Sequence, residues 1–273
     1  MCGQCVIDSV RNTMLSRRNL LRGSTAAVAV AATGGLIAPR PASAQTAGGT
    51  LADLTHTLSE DFPTFGGMPG FAKTQQFNFA DNGYNLFKLS IDEHTGTHMD
   101  APLHFSSDGA SVDEIPVGDL MAPIAKIDIA AKAAENADAQ VTPDDIAAWI
   151  EANGDLPERF IAAMYSGWGE KAATDGFRNA DDTGTMHFPG FHVEAADMLK
   201  DTGCIGIAVD TLSLDYGKSP DFATHYSWLP SGRWGLECVA NLGALPAAGA
   251  TMIVGAPKNR GGTGGPSRVF ALV

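Results

Sequence analysis

Between Asp92 and Phe105 the chain reads Asp-Glu-His-Thr-Gly-Thr-His-Met-Asp-Ala-Pro-Leu-His-Phe. Four groups able to ligate a metal, His94, His98, Asp100 and His104, fall within eleven residues. A His-x3-His spacing can put two imidazoles on one helical face, but Gly96 stands between β-branched Thr95 and Thr97, and Pro102 follows. Helix is therefore disfavoured, and the stretch is predicted to be a loop leaving a strand. Imidazoles and a carboxylate converging from such a loop suit a borderline divalent ion, with Zn2+ and Mn2+ both admissible. The bland alternative is a run of ordinary polar loop residues. A lone histidine would fit it; four potential ligands at this spacing do not.

The chain has 273 residues, 44% of them hydrophobic and 18% charged, which suits one globular domain with a short appendage. Its formal charge of −13 excludes nucleic acid as a partner. The charge is uneven: residues 1–44 carry five arginines against Asp8, +4, which leaves −17 for residues 45–273. That basic piece has a secretory layout, with Ser16-Arg17-Arg18-Asn19-Leu20-Leu21, an Ala-rich apolar run from Ala26 to Ala38, and Ala42-Ser43-Ala44 as a cleavage site. The arginine pair points to the twin-arginine route and so to a periplasmic or otherwise exported protein. The run is broken by Gly34-Gly35 and falls short of the roughly 20 apolar residues of a membrane span, so no stable membrane anchor is expected. A route that carries folded proteins would let the metal be loaded before exposure to competing ions, which matters most for Mn2+. Translation starting at Met14 would still include the whole signal. Cys2 and Cys5 precede the signal and lack a second pair, so they are discounted as a zinc or redox motif; Cys204 and Cys238 sit in apolar stretches and are expected to be buried thiols, with a disulfide as the alternative.

Along residues 45–273, Leu51–Ser59 is expected to be a first strand, with His56 a hydrogen-bonded structural histidine. The Gly/Pro-rich stretch from Asp61 to Phe71 cannot be regular, and its aromatics, Phe65 among them, either line a pocket or cover the core. Gln75–Ala80 and Asn85–Asp92 read as strands; in the second, Phe87, Leu89 and Ile91 alternate with polar residues, the period of a half-buried strand. A strand over Pro123–Ile129, a helix opened by Thr142-Pro143-Asp144-Asp145 and stopped before Gly154, and a buried strand over Phe160–Tyr165 follow. Gly169–Pro189, which carries His187, is read as a surface excursion rather than a substrate lid. Val193–Lys200 should be helical and Cys204–Val209 an apolar strand, followed by a loop from Leu212 to Arg233 holding His225. Glu237 lies among apolar neighbours and needs a partner, either a metal or an arginine. Thr251–Val254 and Ser267–Val273 close the domain as strands. The glycine-rich Arg260–Gly265 lacks the Lys-Ser/Thr and the helix of a phosphate cradle.

The pattern His-x-Gly-Thr-His-x-Asp-x-Pro-x-His at His94–His104 resembles the signature of the cyclase family of metal-dependent hydrolases, which includes bacterial kynurenine formamidase and isatin hydrolase. Asp53-Leu54-Thr55-His56, Ser166-Gly167-Trp168, Phe188-Pro189-Gly190 and Asp210-Thr211-Leu212-Ser213-Leu214-Asp215 extend the likeness over residues 50–273. The resemblance implies a single-domain α/β protein of mixed β/β/α fold, with a metal site reached from the interface of a homodimer. It implies His94, His98 and Asp100 as ligands, His225 and Glu237 as a later ligand pair, and His104 as the catalytic histidine. One or two divalent ions per subunit, Zn2+ or Mn2+, fit it, with Asp100 and Glu237 placed to bridge two. The chain departs from the kynurenine-pathway formamidases where they carry a Trp after the first strand and it has Phe65-Gly66-Gly67, which speaks against N-formylkynurenine as the substrate.

The expected activity is hydrolysis of a small amide, lactam or lactone. A bound ion would lower the pKa of a coordinated water and polarise the carbonyl, and His104 would shuttle the proton. The rival from another class is an exported binding protein that holds a small carboxylate or amide through its metal without turnover. A histidine not needed for ligation, His104, favours the enzyme. A purely structural protein would leave these histidines without a purpose.

Overall fold

The computed structural model describes residues 49–273. The expected signal over residues 1–44 and its two cysteines lie outside the described residues. In chain order the elements are β1 (Leu51–Asp53), β2 (Phe71–Phe77), α1 (Phe79–Asn82), β3 (Leu86–Ile91), β4 (His98–Asp100), β5 (Met121–Asp128), α2 (Ala130–Glu135) and β6 (Gln140–Val141). They continue as α3 (Pro143–Asn153), β7 (Phe160–Tyr165), β8 (Gly190–Phe191), α4 (Val193–Lys200), β9 (Cys204–Val209) and α5 (Ala223–Trp228). The last are β10 (Trp234–Glu237), β11 (Thr251–Gly255), β12 (Gly264–Pro266) and β13 (Arg268–Leu272).

Nine strands form one mixed sheet in the order β1-β13-β11-β5-β7-β9-β10-β4-β12. The centre, β5-β7-β9-β10, is parallel and both flanks are antiparallel. Parallel strands are buried on both faces, and the sequence of β7, Phe-Ile-Ala-Ala-Met-Tyr, has no polar face to expose. Its alternation divides the core: Phe160, Ala162 and Met164 join α3, α4 and α5 in one apolar cluster. Ile161 and Ala163 turn to a second cluster with Ile124, Trp234, Leu236, Met252 and Val269. The result is a mixed α/β domain of the expected class.

The helix signals hold locally. In α3, Pro143 takes the first turn, the Asp145 carboxylate accepts from the Thr142 backbone N–H at 2.7 Å, and Gly154 ends the helix at φ 89°. Other expectations need correction. The first strand is only Leu51–Asp53, followed by a single bridge from Thr55 to Val239, because Leu54 leaves the sheet edge for the core. The segment over Gly169–Pro189 is no mere surface excursion: Phe177 and Phe188 are fully buried in a third apolar cluster with Phe62, Trp168 and Leu212. The loop expected over Leu212–Arg233 contains helix α5, which carries His225. Cys204 and Cys238 are free and buried.

Residues 74–88 form a unit of their own, and residues 49–73 with 89–273 another. Within the smaller unit Asn78 caps α1 by accepting from the Asp81 backbone N–H, and Gly83 closes it in the left-handed region at φ 76°. β3 was expected to be half-buried, yet Leu86, Phe87, Leu89 and Ile91 are all exposed in the single chain. Alternation gives a strand two faces but does not supply a cover for either.

Removing a side chain from the sheet centre tests this account of the core. Ile161→Ala should cost about 2–5 kcal/mol, seen as a lower urea midpoint with an unchanged slope.

Candidate metal centre

The site is assembled at β4 and its neighbours. Gly96, at φ 65°, turns the chain into β4, and its carbonyl accepts from His98 Nδ1 at 2.9 Å. His98 and Asp100 are two apart on this strand and so share a face, while Met99 points the other way into the second core cluster. β4 pairs antiparallel with β10 so that His98 stands opposite Glu237 and Asp100 opposite Gly235. His104 follows on a one-turn 3-10 helix, Pro102–Phe105, and its ring stacks on that of His94 with centroids 3.7 Å apart. His225 arrives from α5.

These side chains converge on Asp100, which is fully buried. Its Oδ1 lies 2.7 Å from His94 Nδ1 and 3.3 Å from His98 Nε2, and its Oδ2 lies 3.6 Å from His225 Nε2. Glu237 closes the ring, 3.3 Å from His98 Nε2 and 3.2 Å from His225 Nε2. No arginine partners this glutamate; the two histidines and the Leu214 backbone N–H, at 2.9 Å, do. Burial would pull His98 and His225 down, but the carboxylates of Asp100 and Glu237 beside them outweigh it and hold both imidazoles well above the usual histidine value. Burial would likewise raise Asp100, and the three histidines hold it well below the usual carboxylate range. His104 has no such partner, and burial pushes it down to about 4, so it is neutral in neutral solution.

Two buried atoms of this cluster, His98 Nε2 and Asp100 Oδ2, have no hydrogen-bond partner. A divalent cation would displace the proton on His98 Nε2 and take up its lone pair together with the free Asp100 oxygen, a donor pair that fits such an ion. Two groups have ligand atoms within 4.8 Å of one another: His98, Asp100 and Glu237, and His94, Asp100 and His104. Asp100 belongs to both, so the donor set has room for one ion or for two sharing that carboxylate. His225 Nδ1 is held by Asp215 at 2.6 Å, which leaves Nε2 facing the cluster. Asp215 is locked in turn by the backbone N–H groups of Thr224 and His225. Five of the expected site residues fall in these two groups, and His225 joins them through Asp100 and Glu237, whereas His56 and His187 do neither. His56 Nε2 lacks the hydrogen bond expected of it; its ring packs between Phe62 and Phe177.

A cavity of about 290 Å³ opens over the cluster and reaches His94, His98, His104, His225 and Glu237. Phe65, Phe105 and Phe222 wall it, with Phe105 to Phe222 ring centroids at 5.7 Å and Phe65 to Phe222 at 5.6 Å. Both readings of that loop's aromatics hold, Phe65 lining the cavity and Phe62 covering the core, and Arg178 donates to the Phe65 carbonyl at 3.1 Å. A larger cleft of about 520 Å³ lies by Arg159, Arg233 and Trp234, at the N-terminal ends of β7, β9 and β10. Its two arginines are already spent, on Asp119 and on the Cys204 and Lys200 carbonyls, so the smaller, histidine-lined cavity is the functional candidate. Sequence reasoning gave no role to Asp215, Phe105 or Phe222; a carboxylate ten residues before a ligand histidine is too common a spacing to single out.

The model for the cyclase family matches residues 52–216. The chain is 32% identical over 242 residues to an isatin hydrolase of Roseibium aggregatum, covering 82% of this chain and 91% of that one. It is 27% identical over 192 residues to a kynurenine formamidase of Salinibacter ruber, covering 68% of this chain and 81% of the relative. Among solved structures, an isatin hydrolase bound to the product analogue thioisatinate superposes with a TM-score of 0.77 at 29% identity, over 82% of this chain and 92% of that one.

If Asp100 is the shared ligand, Asp100→Asn should weaken Zn2+ and Mn2+ binding by more than about 100-fold, beyond the 10–100-fold usual for an outer-shell change. Elemental analysis after gel filtration, with circular dichroism to confirm folding, measures it.

Proposed function

The chain belongs to the cyclase family, and from that premise we propose that it is a metal-dependent hydrolase cleaving the C–N bond of a cyclic or aryl amide. The observation that carries the proposal is the aromatic cavity set directly over the five-ligand cluster, with His104 on the wall between them. Zn2+ or Mn2+, one or two per subunit, would supply Lewis-acid polarisation of the scissile carbonyl and acidify the attacking water. Phe65, Phe105 and Phe222 would hold a flat aromatic ring and exclude water. His104, neutral in solution and stacked on His94, offers a ring nitrogen to take the proton from the nucleophile and return it to the leaving nitrogen. An isatin-like lactam or an aryl formamide fits a wall of this composition. Lactones share the electrophile and belong to the same proposal. A binding protein without turnover remains the second reading, and product formation separates the two.

Export by the twin-arginine signal and pairing into a homodimer belong to the same proposal. Phe79 and Leu86, exposed apolar side chains within residues 74–88, give a second copy a surface to cover. Light scattering on the purified full-length chain, its signal uncleaved, should give twice the chain mass of 28.4 kDa.

His104→Ala tests the chemistry. It should keep its metal and lose about 10²–10⁴-fold in turnover of isatin, an aryl formamide or a lactone, whichever the wild type hydrolyses. Loss of metal together with activity would make His104 a ligand, and full activity would remove it from the mechanism.

A further inference from the structure

The glycine-rich segment after β11, which fits no phosphate site, meets the ligand loop. Thr263 lies between Gly262 and Gly264, and its side chain touches two residues of that loop. Its hydroxyl donates to Glu93 Oε2 at 2.5 Å and sits 3.0 Å from His94 Nε2. Its backbone N–H donates to the same Glu93 oxygen at 3.1 Å. A threonine hydroxyl has one proton, and a carboxylate can only accept. With that proton given to Glu93, the hydroxyl meets His94 as an acceptor, and His94 Nε2 must carry a hydrogen. Nδ1, 2.7 Å from Asp100 Oδ1, is then the nitrogen whose proton an ion would replace.

The backbone is built to keep this relay in place. The Thr263 carbonyl accepts from the Ala101 N–H at 2.8 Å, and the Gly262 carbonyl from Val112 N–H at 2.9 Å. Gly264 pairs with Asp100 in the β12–β4 register. A Cβ on Gly262 would lie 2.7 Å from Glu93 Oε1, and one on Gly264 would lie 2.1 Å from the Met99 carbonyl and 2.9 Å from the His94 ring. Both neighbours of Thr263 must therefore be glycine for the hydroxyl to reach. His98 and His225 have their own acceptors, the Gly96 carbonyl and Asp215; Thr263 and Glu93 complete the set.

Resting on the metal-hydrolase reading, we propose that Glu93 and Thr263 are positioning residues that fix His94 in its Nε2-protonated form and so present Nδ1 to the metal. The test compares wild type, Thr263→Val, Thr263→Ser and Glu93→Ala. Zn2+ affinity is read by competition with a chromophoric chelator, and the state of His94 by long-range 1H–15N correlation of its ring with and without Zn2+. Thr263→Val and Glu93→Ala should lose about 10–100-fold in Zn2+ affinity, Thr263→Ser should bind as wild type does, and His94 Nε2 should carry a proton in the wild type. Wild-type affinity in Thr263→Val, or a bare Nε2, overturns the inference. If the wild type takes up no Zn2+, it is the metal reading that fails, and the spectrum of the metal-free protein still decides the protonation of Nε2.

Discussion

The structure depends on a carboxylate, Asp100, buried to zero exposure beneath three imidazoles. An ionised carboxylate removed from water is tolerated only with close positive charge or donors. His94 and His98 supply these from one stretch of the chain and His225 from another, and Glu237 adds a second carboxylate beside His98 and His225. The cluster is held from outside by acceptors on each imidazole, so the rings cannot turn to satisfy one another. What is left over, a nitrogen on His98 and an oxygen on Asp100 without hydrogen-bond partners, is the part of the arrangement that protein groups alone do not satisfy.

The ligand stretch is legible because its information is local. Gly96 and Pro102 rule out a helix, and the spacing of His94, His98, Asp100 and His104 needs only a short strand and one turn to bring them together. His225 and Glu237 are different. Nothing in their surroundings marks them as a pair with Asp100; only the family likeness did, and the reason they meet is a cross-strand register the sequence does not display. Glu93, Thr263 and Asp215 were invisible for a related reason, since an outer acceptor is an ordinary side chain until its partner is placed. β3 failed in the opposite way: its alternation is real, but alternation alone does not bury a face.

The excursion from Gly169 to Pro189 shows how composition can mislead about burial. Its many polar residues surround two phenylalanines that are fully buried, and Phe188 meets Phe65 edge to face at 6.5 Å. The outer wall of the cavity is therefore anchored in a third core cluster. Position of the aromatic wall and stability of that cluster are one property.

Register ties the chemistry to the fold. A one-residue slip of β4 against β10 would turn His98 and Asp100 to the face now holding Met99 and break the opposition of His98 to Glu237. The strand cannot slip easily, because Met99 is buried in the second core cluster and β4 is bonded on both edges, to β10 and to β12. Asp100 itself is flanked on both neighbouring strands by glycine, Gly235 and Gly264. A side chain at the first would come within 3.3 Å of the carboxylate, and one at the second would strike the β4 backbone. The sheet thus leaves room around one carboxylate, and the ligands gather in that room because the hydrophobic face behind them fixes where it lies.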